Sequence, residues 1–317
     1  MRRQAGHNGL ALANTLPLGP GIRHRIPSLE FDSMQLSVSI FGAARRPLQD
    51  LQEEARELGF AGVHPVPGDL PEDLPSQIEP GVWRFLPSSA LEAPPTPDQP
   101  PLTLHPARAQ AWVEQLREKQ VSSLVIELGL LRDVGWRARG DRLLEDLRTE
   151  GRLTMGAEAV ESLQKESEQT AEQELEEAAR FLHAFQQAAP GLRLAVAIED
   201  HPAALLSPER FRLLRQEAGL GPLGYWHDSA RAQARAALQL DQPGDWLDQH
   251  AGILVGVTLH DWAEGLDRRL IGDGVVDFRL LSEYLPRDAA RVLTAAPVYP
   301  KELLPAARDA LAAAGLH

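Results

Sequence analysis

From Met34 onward the chain alternates short apolar, β-prone runs with longer stretches of helical period. The apolar runs are Gln35–Phe41, Phe60–Pro65, Val82–Leu86, Val121–Leu128, Arg193–Glu199, Leu223–Asp228, Ile253–His260 and Arg291–Ala295. Several are apolar without a break, as in Leu124-Val125-Ile126, which suits strands covered on both faces. Strands alternating with helices predict an α/β fold with a parallel sheet, and about eight of them predict a (β/α)8 TIM barrel.

The helical stretches sit between these runs. Pro47–Leu58 carries Pro at its start and Gly59 just past its end, the usual asymmetry of helix termini. Pro106–Lys119 precedes the fourth strand. Ala157–Ala188 is long and rich in Glu and Gln, with Leu163, Leu175, Ala178, Phe181, Leu182 and Phe185 on one face; its acidic side reads as a solvated outer surface. Ser207–Glu217 opens with a cap residue and Pro208. Residues 276–285 and 300–314 supply the last helices. Two connections are long. Residues 87–106 are too proline-rich for a helix or central strand. Residues 129–156 carry Trp136 and a short helical pattern near Asp141–Arg148. Both follow strands, so in a barrel both lie on the catalytic face, as lids or as surface padding. Residues 1–33 form no convincing strand or helix and read as a poorly ordered extension, with the barrel spanning 34–317.

Composition narrows the function. The chain has 317 residues, 43% of them hydrophobic, which is enough for a sizeable core. It has no cysteine, which removes thiolate metal sites and cysteine nucleophiles and favours a cytoplasmic setting. A net charge of −13 repels phosphate backbones, so nucleic acid is an unfavourable partner. No apolar run approaches the ~20 residues that span a bilayer.

Barrel active sites collect residues at the C-terminal ends of strands. Those ends offer His64, Glu127, Glu199-Asp200-His201, His227-Asp228, His260-Asp261 and Thr294-Ala295. His227 and Asp228 are neighbours on a strand, so one of them points inward. Glu199, Asp228 and His260, from three successive strands, form a mixed oxygen and nitrogen set suited to a divalent ion such as Mn²⁺, Co²⁺, Fe²⁺, Zn²⁺ or Mg²⁺. Such an ion polarises a sugar carbonyl, and a carboxylate beside it moves the proton. The competing reading pairs Glu199 and Asp228 with Arg231 or Arg268 as structural ion pairs and makes His260 a core histidine.

Over residues 35–314, and best over 193–285, the chain resembles the xylose isomerase-like TIM barrels, which include sugar phosphate isomerases and epimerases and endonuclease IV. LAVAIED resembles the family's fifth strand, GYWHDSAR its sixth, VTLHD its seventh, and LDRRLIGDGVVDF the stretch that follows. The resemblance implies Glu199, Asp228 and His260 as ligands of a divalent metal, with Glu199 doubling as the catalytic proton shuttle. It implies Arg268, Arg269, Arg231 and Trp226 as substrate-binding residues for a sugar or sugar phosphate. The sequence departs from the family in three places. Arg231 stands where the sixth-strand motif has His, and Arg269 takes another His position. The eighth strand, RVLTAAP, lacks the family's terminal Glu. The leading expectation is a divalent-metal-assisted sugar isomerase/epimerase-like protein. The alternative is a catalytically silent barrel that binds a polyol or acts as an interaction module, its metal lost. The remote alternative is an endonuclease IV-like enzyme, disfavoured by charge and by the missing ligands.

Overall fold

The computed structural model describes residues 34–42, 46–64, 83–86, 113–114, 116–118, 120–154, 156–217 and 220–317. The extension expected over 1–33, the proline-rich connection 87–106 and most of the helix expected over 106–119 lie outside the described residues. The strands are β1 (Gln35–Ser37), β2 (Val63–His64), β3 (Trp83–Leu86), β4 (Ser123–Glu127), β5 (Arg193–Ala197), β6 (Leu223–Asp228), β7 (Leu254–Leu259), β8 (Asp261–Ala263), β9 (Leu266–Arg269) and β10 (Ala290–Leu293). The helices are α1 (Leu48–Glu57), α2 (Val134–Glu150), α3 (Ala157–Ala188), α4 (Pro208–Gln216), α5 (Ser229–Ala237), α6 (Pro243–His250), α7 (Phe278–Tyr284) and α8 (Leu304–Ala313).

Eight strands form one parallel sheet in the order β2-β1-β10-β7-β6-β5-β4-β3, and β8 and β9 make a separate antiparallel pair. The first strand lies beside the last, which is the order of a barrel opened at one seam. The described residues thus form an α/β fold with a parallel sheet, and among them β2 and β3 do not pair. The sheet is nevertheless strongly curled. The rings of His64 on β2 and Trp226 on β6 stack with centroids 5.7 Å apart. Four strand spacings separate these strands, which in a flat sheet is roughly 19 Å.

The inside of the curl is filled by Val125, Ala195, Ala197, Trp226, Ala290 and Val292. Trp226 dominates this layer. It is completely buried, and its Nε1 donates to Thr258 Oγ1 at 3.0 Å. Gly256 lies opposite it on β7, and a Cβ there would overlap the indole. The outer face packs under the helices. Ile126, Leu194, Val196 and Tyr225 meet Phe181, Phe185 and Phe211, while Leu36, Val257, Leu259 and Leu293 meet Leu51, Leu281 and Leu311.

Local signals explain most element ends. Ser207 accepts from the Arg210 amide at 3.2 Å with Pro208 in the first turn of α4, and Asp277 accepts from the amides of Arg279 and Leu280 at the start of α7. Three regions differ from the sequence expectation. The 129–156 connection holds α2, seventeen residues long, because Asp133 caps it at the Trp136 amide and Gly151, at φ 67°, ends it. The stretch from β6 to β7 holds α5 and α6, which the hydrophobic pattern left unread. The stretch after His260, in which the hydrophobic pattern read no element, is a hairpin. Its turn residues Glu264 and Gly265 have φ of 53° and 76°, the left-handed pair that suits a two-residue hairpin.

Candidate functional site

Strand parity sets the site. Odd-numbered residues of β4 and β5 and even-numbered residues of β6 and β10 face into the curl, as Val125, Ala197, Trp226 and Val292 do. The same alternation brings Glu127, Glu199, Asp228, His260 and Thr294 to the inner side at the C-terminal edge. His227 faces outward, where its Nδ1 lies 2.7 Å from the Tyr225 hydroxyl. Burial pushes its pKa down to about 4, against a partial opposing pull from Asp228.

Strand β6 passes into α5 without a loop. Asp228 ends the strand and caps the helix, its Oδ1 accepting from the Arg231 amide at 2.9 Å. This places the Arg231 side chain over the strand ends. Its Nη1 donates to Glu127 Oε1 at 2.6 Å and to the Ile198 carbonyl at 2.9 Å, and its Nε is 3.9 Å from Asp228 Oδ2. Burial works against the guanidinium's charge, but Glu127, Asp228 and Asp200 more than offset it and hold the pKa above the ordinary value.

His260 is fixed on both nitrogens. Nε2 lies 2.7 Å from Asp228 Oδ1, and Nδ1 receives the Arg268 amide at 3.0 Å. An N–H pointing at Nδ1 requires a lone pair there, so the ring proton sits on Nε2 and is donated to Asp228. The backbone of His260 is latched as well, with Ser229 Oγ donating to its carbonyl and accepting from its amide. Burial opposes ionisation of Asp228, yet His260 and Arg231 hold its carboxyl well below the usual range.

Glu199 is differently placed. Its Oε1 accepts from the Gly129 amide at 2.7 Å. Leu128, Ala197, Ala204 and Leu206 close off one side of Glu199 without room for water, while the side chain itself stays partly exposed. Burial, with Glu127 nearby, raises its pKa to about 7, against the pull of Arg231 and the Gly129 amide. Its backbone carbonyl accepts from Arg235 Nη1 at 2.8 Å, and Arg235 is itself clamped by Asp241 and lies over the Trp246 ring.

The β10 and β1 side carries hydroxyls. Ser37 Oγ donates to Thr294 Oγ1 at 2.6 Å, and Ser39 Oγ is 3.0 Å from Ser37 Oγ.

No family model matches the sequence, and no curated protein matches it. Solved structures do. One is L-ribulose 3-epimerase, with a TM-score of 0.57 at 12% identity over 90% of this chain and 94% of that one. Another is 3-keto-D-glucoside 4-epimerase from E. coli in its apo form, with a TM-score of 0.54 at 14% identity over 89% of this chain and 98% of that one. The fold of the described residues is similar to that of these two epimerases. At these identities the likeness is one of fold.

Within that fold the residues expected as metal ligands meet only in part. Asp228 and His260 touch each other, and Glu199 is held separately by Gly129. Among the described residues no three His, Asp or Glu side chains are set to share an ion. The donor chemistry agrees. Both His260 nitrogens are engaged, and Asp228 Oδ1 carries two hydrogen bonds. The set does not fit a divalent ion.

The four residues expected to bind substrate scatter. Trp226 lies fully buried beneath the site, because the curl needs a large side chain at its centre. Arg231 belongs to the ion-pair cluster. Arg268 has φ of 54°, its amide on His260 and its carbonyl accepting from Ala296 at 2.7 Å. Arg269 hydrogen-bonds Tyr299. Asp261, beside His260, accepts from the amides of Trp262, Gly272 and Val276 and so holds the glycine-bearing loop. A Cβ on Gly274 would overlap its carboxylate.

Proposed function

We propose that the chain is a sugar isomerase/epimerase-like protein that moves a proton from one face of a small neutral sugar, with Glu199 as the single acid–base group. The observation that carries this is the asymmetry of the inner rim. Carboxylates occur at the ends of β4, β5 and β6, and hydroxyls stand at β1 and β10. A carboxyl that takes a proton from one carbon and returns it to the next works from one face, with the hydroxyl proton passing between the two neighbouring sugar oxygens. Inversion at a single carbon needs acids on both faces, and Thr294 with Ser37 supplies none. A raised pKa near neutrality suits Glu199 to both taking and giving the proton. Glu127 and Asp228 face one guanidinium, so the floor of the site is net negative and favours an uncharged hydroxylated ligand over an anionic one. Arg268 is the candidate rim contact, since the left-handed backbone at this residue is a strained feature of the kind that clusters at functional sites.

The test is deuterium incorporation from heavy water into the C–H beside the carbonyl of a panel of aldoses and ketoses, followed by proton NMR. Wild-type protein exchanges one sugar, and Glu199→Gln does not. Thermal stabilisation by a sugar with no exchange at any carbon would replace this reading by its alternative, a barrel that binds a polyol without turnover. The full occupancy of His260 favours that alternative.

A further inference from the structure

We infer that Arg231 is the resident cation of this site, standing in for a divalent metal, and that the protein is built to work without one. The inference rests on the sugar-site reading only for the location of the rim, and its test reads metal content.

Four observations converge on it. First, the guanidinium occupies the place where an ion would have to sit. It contacts Glu127 at 2.6 Å, approaches Asp228 at 3.9 Å and donates to the Ile198 carbonyl at 2.9 Å. Second, its anchoring is built into the chain path. Asp228 caps α5 through the amide of the same residue, so the carboxylate that would bind a metal also fixes the group that excludes it. Third, His260 has no free lone pair, since Nδ1 takes the Arg268 amide and the Nε2 proton goes to Asp228. Ligation would require breaking one of these hydrogen bonds, and both lie in a buried setting where such losses are costly. Fourth, the eighth-strand position is Thr294, whose hydroxyl is committed to Ser37. A delocalised guanidinium does part of what a metal does: it supplies a permanent positive charge with directed N–H donors, at no dependence on metal supply. Its side chain remains about one-fifth exposed (21%).

The experiment measures metal by mass spectrometry in wild-type protein purified without chelator, then binding of Mn²⁺, Co²⁺ and Zn²⁺ by calorimetry. Wild type and Arg231→Lys, which keeps the charge, should both hold less than about a tenth of an equivalent and show no shift in melting temperature with ion or chelator. Arg231→His removes the fixed charge and offers a nitrogen ligand. It should gain affinity for Mn²⁺ or Zn²⁺ by at least about tenfold over wild type. A near-stoichiometric ion in wild-type protein, lost in Asp228→Asn, would overturn the inference, and so would equal ion affinity in wild type and Arg231→His. If Arg231→His does not fold, the wild-type and Arg231→Lys metal contents decide the matter alone. Failure of the deuterium-exchange test leaves these outcomes unaffected, and the reverse also holds.

Discussion

The two sides of the inner rim are built from different materials. The β4–β7 side is ionic: Glu127, Glu199, Asp228, Arg231 and His260 are tied into one another and into backbone amides. The β10–β1 side is made of hydroxyls, Ser37, Ser39 and Thr294, joined by short neutral hydrogen bonds. A buried ion pair is costly to assemble and more costly to break, because removing one partner strands the other charge. A neutral hydroxyl pair contributes about 1 kcal/mol and leaves little behind when it is lost. The comparison teaches that stability and chemistry are concentrated on the same side, so the ionic side should dominate every perturbation.

Arg231→Met tests this most severely. It leaves Glu127 and Asp228 buried without their cation and should lower the unfolding free energy by about 3–5 kcal/mol, read from urea denaturation. A loss no larger than that of a hydroxyl deletion would dissolve the contrast.

Glu199→Gln acts in the other direction. The Glu199 pKa is raised from 4.5 to about 7 in the folded protein. The folded state therefore binds this proton more tightly than the unfolded chain does, and the group's contribution is fully present below pH 4.5. It is lost as the pH rises through about 7, at an eventual cost of about 3 kcal/mol. An uncharged glutamine escapes that cost while still accepting from Gly129. The variant should be more stable than wild type at pH 8 by about 1–3 kcal/mol, and the difference should vanish near pH 4. Equal melting temperatures at pH 8 would place Glu199 in a more solvated setting than the one described. In wild type, the rate of proton exchange should rise with pH through an inflection near 7.

On the hydroxyl side, Thr294→Val should cost about 1 kcal/mol and leave the inflection near pH 7 in place. A moved inflection would couple the two sides and break the comparison. Smallest of all, Arg268→Ala should change stability by less than about 0.5 kcal/mol, since its backbone makes the contacts that matter here. Sugar binding should weaken by about tenfold, visible as a lost ligand-induced shift in melting temperature.

Much of the frame was legible from apolar periodicity. Seven of the eight sheet strands fall within the runs read from the sequence, β10 begins one residue before its run, and Ser207 marks its helix as expected. The inward set at the strand ends was legible in part: alternation lets only one of His227 and Asp228 point inward, and the resemblance chose Asp228. The missed parts share a physical cause. Helix α2 begins in a polar stretch where the signal is one cap, Asp133, and its apolar positions, Leu143, Leu144 and Leu147, lie late in the helix. The hairpin β8–β9 is short, buried at Asp261 and Trp262 and exposed at Leu266 and Asp267, so it has no apolar alternation. Glu127 does not stand out in the sequence because its importance comes from Arg231, a residue 104 positions away. Sequence reading weighted Arg231 as a departure from a motif. The spacing Asp228-x-x-Arg231 at a strand-to-helix junction carried a usable signal, since a capping carboxylate and the residue whose amide it binds are always close.

That junction has a consequence for how the protein tolerates change. Because α5 starts on the last residue of β6, the angular position of Arg231 is set by counting, with no connecting segment to absorb an error. One residue inserted between Asp228 and Arg231 would turn the guanidinium by about 100° around the helix axis. The sheet would be intact and the helix would be intact, and the two would simply be out of phase. Length variation that the surface connections of an α/β fold accept freely is, at this one point, equivalent to deleting the site.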